Sequence, residues 1–263
     1  MIRQLLKAAL LIAPIALSTG CADISNGSMS AIQPTTVATS ERVGHAYLFR
    51  GFIGVFSTGM NSMGDELNKE GVQATVFQAD QWSEVADTIA ERYKNHPAEP
   101  VVLVGHSYGA DNVVRIAQKL KDKNVKIDLL VTLDPVTPPK VPANVVKTVN
   151  LYQSNGVFDA MPWLRGIPLE KETDSVAVLN ENIRTDRTDL LEPGLNHFNI
   201  EKQPKVHAEV EKLVKQVCMT RPQWAALHPT GASISVAAAK PVPAPTTQSA
   251  MAETPKAMMA VAR

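Results

Sequence analysis

The sequence predicts an α/β domain, a mostly parallel sheet carrying helices on both faces, and three observations lead there. Its apolar runs, such as VVLV at 101–104 and IDLLVTL at 127–133, are continuous rather than alternating. Strands covered on both sides read this way, whereas half-solvated strands alternate with polar residues. Between those runs lie segments whose apolar residues repeat at helical spacing. Finally, residues 100–109 (PVVLVGHSYG) pass from an apolar run through Gly105-His106-Ser107-Tyr108-Gly109 directly into a helix-patterned segment. A strand feeding a helix through so tight a turn is a unit of a parallel sheet.

Each element has its own reason. Residues 45–49 (HAYLF) make a short apolar strand ending at Arg50-Gly51. Thr58 or Asn61 can cap a helix that runs to Lys69 and stops at Gly71. A strand follows over 72–77. Ser83 can cap the next helix, whose Val85, Ala86, Ile89, Ala90 and Tyr93 share one face until His96-Pro97 ends it. After the strand at 101–104, Val113, Val114, Ala117 and Leu120 line a third helix. Further strands are expected at 127–133, at 145–152 and, as a short last one, at 174–179. Val206, Val210, Leu213, Val214 and Val217 form the apolar stripe of a closing helix. In such a sheet a ligand site lies at the carboxyl ends of the strands, so reacting residues are expected just after strands.

The ends of the chain read differently. In residues 1–21 a basic start (Arg3, Lys7) precedes an apolar stretch at 8–17 and then Ser18-Thr19-Gly20-Cys21. That stretch is too short for a membrane-spanning helix and is read as a signal peptide. Residues 22–40 are small and polar and are expected to be a flexible tether. Residues 222–263, rich in Ala, Pro and Thr, show no sustained periodicity and are expected to be disordered. The folded domain is therefore placed at 41–221, long enough for one core. Basic and acidic residues balance at 26 each, and no basic stretch is interleaved with aromatics, which argues against a nucleic-acid partner. Apart from Cys21 the only cysteine is Cys218, so no internal disulfide supports the exported domain. Cys218 reads as a small buried apolar residue.

A serine at the apex of a strand–turn–helix has its hydroxyl exposed and the helix N-terminus beside it. Flanking glycines allow the close approach of strand and helix that such a turn needs. A serine hydroxyl needs a base to become a nucleophile, usually a histidine oriented by a carboxylate. Of the six histidines, His45 opens a strand, His96 and His228 adjoin prolines, and His207 lies at the start of the closing helix. His106, next to the serine, should point away from it and pack beneath the turn. His197, between the last strand and the closing helix, is left as the base. Asp134, at the tip of the 127–133 strand, and Asp159, in the loop after the following strand, compete as the acid. Asp134 is favoured because a strand tip fixes a side chain more rigidly than mid-loop. No metal-binding motif or phosphate-cradling loop occurs, and neither a metal nor a cofactor is expected.

The order Ser107, Asp134, His197 resembles that of the α/β-hydrolase superfamily, its serine esterases, lipases and thioesterases. LLVTLDPV is similar to the acid-bearing strand of some of its lipases, HAYLFRGFIG to its oxyanion strand and loop, and NHFNI to its histidine loop. Arg50-Gly51 stands where the superfamily usually has His-Gly. The resemblance implies an α/β-hydrolase fold with a small cap or none, residues 156–192 being the stretch long enough to form one. Phe158, Met161, Trp163, Leu164 and Ile167 would there line an acyl pocket or belong to the core. It implies an oxyanion hole of the Phe52 and Tyr108 amides, and cleavage of a small-molecule carboxylic ester or thioester through an acyl-enzyme. Acyl transfer to another acceptor would use the same residues, and a non-catalytic envelope module binding a lipid or partner is the alternative. The Ser18–Cys21 segment resembles the lipobox of bacterial lipoproteins, although Leu17 lies four residues before the cysteine rather than three, so ordinary signal cleavage stays open. Lipidation at Cys21 would give a membrane anchor, and Ala22 after it points to an outer-membrane lipoprotein on the periplasmic side.

Overall fold

The structure, a computed structural model, describes residues 27–34, 40–51, 57–154, 161 and 165–229. It divides into a unit spanning Met1–Leu227, which holds every element below, and a second, His228–Arg263, of which two residues are described. Six strands, β1 (His45–Phe49), β2 (Gln73–Phe77), β3 (Val101–His106), β4 (Leu129–Leu133), β5 (Thr148–Tyr152) and β6 (Val178–Asn182), form one sheet in the order β2-β1-β3-β4-β5-β6. Every pairing is parallel. The helices are α1 (Gly59–Lys69), α2 (Trp82–Asn95), α3 (Tyr108–Lys121), α4 (Pro204–Val217) and α5 (Arg221–Leu227).

Why the central strands β1, β3 and β4 are largely apolar is plain from their neighbours. Alternate side chains of a strand point to opposite faces, and here each face has its own helices. Ala46, Leu48, Val102, Val104, Val131 and Leu133 share a cluster with Met60, Met63 and Leu67 of α1 and Val206, Val210 and Val214 of α4. Tyr47, Phe49, Leu103 and Leu130 share the other with Val85 and Ile89 of α2 and Val113, Ile116 and Leu120 of α3. A residue pointing to either face is therefore buried, and β1, β3 and β4 are buried along their whole length. The result is an α/β architecture, a six-stranded parallel sheet covered on both faces with Ser107 directly after β3.

The register also positions the site. His106 pairs with Leu133 across β3 and β4, so the next residues, Ser107 and Asp134, emerge side by side at the carboxyl edge, one strand spacing (about 4.8 Å) apart. Beyond the named strands the ladder continues: the Ser107 amide donates to the Leu133 carbonyl at 2.9 Å and the Asp134 amide to the Leu151 carbonyl at 3.0 Å.

Three expectations from the sequence change. The last strand is Val178–Asn182, not 174–179. The Val141 carbonyl holds the preceding stretch by accepting from the Glu172 amide at 2.9 Å and the Ser175 hydroxyl at 2.6 Å. The edge strand proper is polar, because Asn180 spends its amide on Asn150 Nδ2 and on the Leu169 backbone. Residues 29–32, inside the expected tether, form a short 3₁₀ turn whose Ile32 is fully buried among Phe77, Val85 and Ile89. And α5 forms where the sequence shows no periodicity, with no residue of it buried. In the candidate cap stretch, residues 155–160 and 162–164 lie outside the described residues, among them Phe158, Trp163 and Leu164. Met161 is exposed, while Ile167 is half-buried and its amide reaches the Pro135 carbonyl.

Candidate active site

The elbow is strained in the way the sequence anticipates. Ser107 has φ 56° and ψ −124°, outside the regions a residue with a Cβ ordinarily occupies. Such a conformation costs on the order of 1–3 kcal/mol and persists only where the surroundings enforce it. A Cβ on Gly105 would strike the Gly109 carbonyl, and one on Gly109 would strike the carbonyls of Phe49 and Arg50. Both glycines therefore allow α3 to start directly against β1 and β3, with the Tyr108 amide in its first turn beside Ser107. The end of a helix that carries unsatisfied amides is where developing negative charge is best stabilised.

Ser107 Oγ lies 2.9 Å from His197 Nε2, and His197 Nδ1 lies 3.3 Å from Asp134 Oδ2. All three side chains are buried, Asp134 completely. With Nδ1–H donating to the carboxylate, Nε2 is left bare to accept the serine proton. The other oxygen of Asp134 accepts from the Gln153 amide at 2.6 Å. Burial raises the Asp134 carboxyl above its ordinary pKa, and the bonds from His197 and Gln153 oppose that rise. Asp134 has φ 48°, so the chain turns sharply at the strand tip and aims its side chain across at His197.

The loop carrying His197 is tied by its own asparagines. Asn196 Oδ1 accepts from the Phe198 amide at 2.9 Å, Asn199 Oδ1 from the Asn196 amide at 2.8 Å, and Asn199 Nδ2 donates to the Gly194 carbonyl at 3.0 Å. The first bond is an Asx-turn, a role asparagine favours, and the Asn199 side chain closes back over it. Phe198 stacks edge-on against His197 and is half exposed, as is Tyr108 beside the serine.

The structure thus brings Ser107, Asp134, His197 and the Tyr108 amide together at one point. Phe52, Asp159 and Cys21 lie outside the described residues. Arg50, in the place of the usual histidine, turns its guanidinium to Asn61 of α1. Among the described residues no group of His, Cys, Asp and Glu is arranged to hold a metal ion. Cys218 is buried and its thiol is pushed up to about 12 by that burial, which leaves it unreactive.

Two neighbours of the site carried no signal in the sequence. Ser57, just before α1, sits between Gly51 and His106 at 2.9 and 2.8 Å. Glu201 is fully buried, with neither carboxyl oxygen hydrogen-bonded; His106 Nε2 is 4.0 Å away and Lys202 Nζ 3.8 Å. Burial pushes Glu201 up to about 8, against the pull of Lys202. It is a neutral acid at neutral pH. His106 is hydrogen-bonded at both ring nitrogens rather than merely packed, and burial pulls it down to about 3, so it is neutral too.

No family model matches the chain, and no curated relative matches its sequence. Similar solved structures include a protein of Xanthomonas campestris pv. campestris assigned to the hydrolases of the alpha/beta superfamily, 14% identical, over 65% of this chain and 99% of that one, TM-score 0.37. Another is the NocB thioesterase domain of the nocardicin cluster in covalent complex with a fluorophosphonate nocardicin G analog, 14% identical over 66% and 94%, TM-score 0.41. A third is YbtT, a type II thioesterase of the yersiniabactin pathway, 10% identical over 70% and 96%, TM-score 0.39.

Proposed function

We propose that the protein is an exported serine hydrolase that cleaves carboxylic esters or thioesters through an acyl-enzyme. The observation that carries this reading is the 2.9 Å approach of Ser107 Oγ to His197 Nε2, at an elbow whose strain has no use in an ordinary turn. Ser107 Oγ attacks the acyl carbon while His197 Nε2 takes its proton, and the carbonyl electrons move onto oxygen. The amides of Tyr108 and Phe52 receive that oxyanion; one such donor is typically worth about 3 kcal/mol in the transition state. The tetrahedral species collapses, the imidazolium returns the proton to the leaving alcohol or thiol, and Ser107 keeps the acyl group. Water, deprotonated by His197, then releases the acid and restores the hydroxyl. Asp134 holds the imidazole in the one tautomer that serves both halves.

Export follows from the signal-like first 21 residues, and lipidation at Cys21 would hold the enzyme on the periplasmic face of the outer membrane. Radiolabelled fatty acid incorporation that disappears in Cys21→Ala tests the anchor.

A fluorophosphonate probe should label the protein at one site and fail on Ser107→Ala. In the same assay series Asp134→Asn should lower kcat by about 10⁴-fold, the loss expected when the wrong tautomer is favoured. Labelling that survives Ser107→Ala removes the assignment, and a fully active Asp134→Asn returns the acid's role to Asp159.

A further inference from the structure

We infer that Ser57 and His106 are positioning residues, a hydrogen-bonded strut that sets the distance between the oxyanion strand and the loop carrying His197. The inference rests on the hydrolase reading of Ser107 and His197, and it assigns work to two residues that touch no substrate.

The strut has three bonds. The Gly51 amide donates to Ser57 Oγ at 2.9 Å, Ser57 Oγ meets His106 Nδ1 at 2.8 Å, and His106 Nε2 meets the His197 carbonyl at 2.9 Å. Only one arrangement of protons satisfies all of them. The His197 carbonyl is an acceptor only, so His106 Nε2 must carry a hydrogen. A neutral imidazole then has a bare Nδ1, and burial keeps this ring neutral. The Ser57 hydroxyl must therefore give its proton to Nδ1 and accept from Gly51 with its oxygen. No proton is left to choose, and no partner can be exchanged for water, because Gly51, Ser57, His106 and His197 are all buried.

What the strut joins gives it its consequence. Gly51 ends the strand-to-loop passage from β1 and immediately precedes Phe52, the proposed oxyanion donor. His106 is the last residue of β3, one before the nucleophile. The His197 carbonyl belongs to the proposed base itself. Three separate segments of the chain, distant in sequence, thus meet in one line of fixed length beneath the reacting atoms. The space is equally constrained: a Cβ on Gly51 would come within 2.8 Å of Ser57 Oγ and 3.1 Å of the Ser107 Cβ. Breaking the strut frees the His197 loop relative to the Gly51 amide, and an ångström of misplacement at a reacting centre can cost on the order of 10²-fold in rate. Because both the base and the oxyanion strand act on the transition state, the loss belongs in kcat rather than in substrate affinity.

The experiment compares the full protein with Ser57→Ala, Ser57→Thr, His106→Gln and the Ser57→Ala/His106→Gln double variant. Rates on p-nitrophenyl butyrate are divided by the titre of active serine counted with a fluorophosphonate. Ser57→Ala and His106→Gln should each lower kcat per active site by about 10- to 100-fold with KM nearly unchanged. Ser57→Thr, which keeps the hydroxyl, should recover most of the loss. The double variant should be no slower than the slower single one, because each change breaks the same line. Should His106→Gln fail to fold, the Ala and Thr exchanges at Ser57 decide alone. The inference is overturned if kcat per active site stays at the parent value, if Ser57→Thr is as slow as Ser57→Ala, or if the two losses multiply. Absence of labelling in the parent protein would instead remove the hydrolase reading on which it stands.

Discussion

At the scale of single residues burial sets the charge state of His106 and Glu201 beside the site and of His45 at the amino end of β1. His106 and His45 are both pulled down to about 3 by burial, while Glu201 is pushed up to about 8. These act on stability in opposite senses. A histidine held neutral binds fewer protons folded than unfolded between about pH 3 and 6.5, so it costs stability as the pH falls through that window. Glu201 is the reverse: from about pH 4.5 to 8 the folded protein holds a proton that the unfolded chain has released, so stability falls as pH rises through it. The groups facing Glu201 are His106 from β3, Lys202 beside it and, more distantly, Asp134. Glu201→Gln keeps the neutral shape and removes the titration. Denaturant midpoints measured at pH 5, 6.5 and 8 should show the parent losing a few kcal/mol relative to Glu201→Gln across that range. The contributions of His45, His106 and Asp134 cancel in the comparison. Parallel pH profiles for the two proteins would mean that Glu201 is already ionised at pH 5.

At the scale of elements, what could be read from the sequence and what could not separate along a physical line. Val101–His106 and Leu129–Leu133 were legible because both faces of each are buried, which leaves no polar residue to blur the run. Asp134 was legible because a strand tip is fixed by its ladder. The extent of β6 was not, since an edge strand tolerates the polar Asn180, Glu181 and Asn182, while the more strand-like Val176 lies just before it. Ser57 and Glu201 carry no periodic signal; their roles exist only once distant segments meet. Gly166 belongs to the same class. Its chain returns past the tip of β4, where a Cβ would collide with Asp134 Oδ1 and crowd the Tyr152 Cβ. Gly166→Ala should therefore push the Asp134 carboxylate off its bond from the Gln153 amide and misorient His197. Activity per folded molecule should fall at least tenfold, an effect expected of small displacements at a catalytic centre, while the remote exchange Val146→Ala on the exposed surface leaves it unchanged. Gly166→Ala with parent-like kcat would show that the loop yields and the carboxylate does not.

For the whole molecule, the boundary of the folded unit lies further towards the N-terminus than composition suggests. Small polar residues before Ser40 suggest a tether, yet the segment at 27–34 is fastened along the β2 edge and α2. Gly27 exchanges two bonds with the Gln81 side chain at 2.9 and 3.2 Å, Gln73 Nε2 reaches the Ala31 carbonyl at 3.2 Å, and Arg92 Nη1 reaches the Gln33 carbonyl at 3.2 Å. Ile32 fills a place in the core beside Phe77, Val85 and Ile89, wholly out of water. Composition could not reveal this because one apolar side chain in a polar stretch has no period; what it contributes depends on a hole left by residues far along the chain. Removing a fully buried isoleucine side chain to alanine typically costs about 2–5 kcal/mol, the spread reflecting how far the site can collapse. Ile32→Ala should therefore lower the unfolding free energy by an amount in that range in urea, and a chain starting at Ser40 should lose at least as much, since it also gives up the bonds at Gly27, Ala31 and Gln33. The slope of the unfolding transition should be unchanged for Ile32→Ala and reduced for the shorter chain, which exposes less surface on unfolding. A tether in the ordinary sense would leave both midpoints where they are. None of Ser107, Asp134 and His197 belongs to the cluster that buries Ile32, so activity below the transition should be retained in Ile32→Ala, which separates a stabilising strap from a part of the catalytic apparatus.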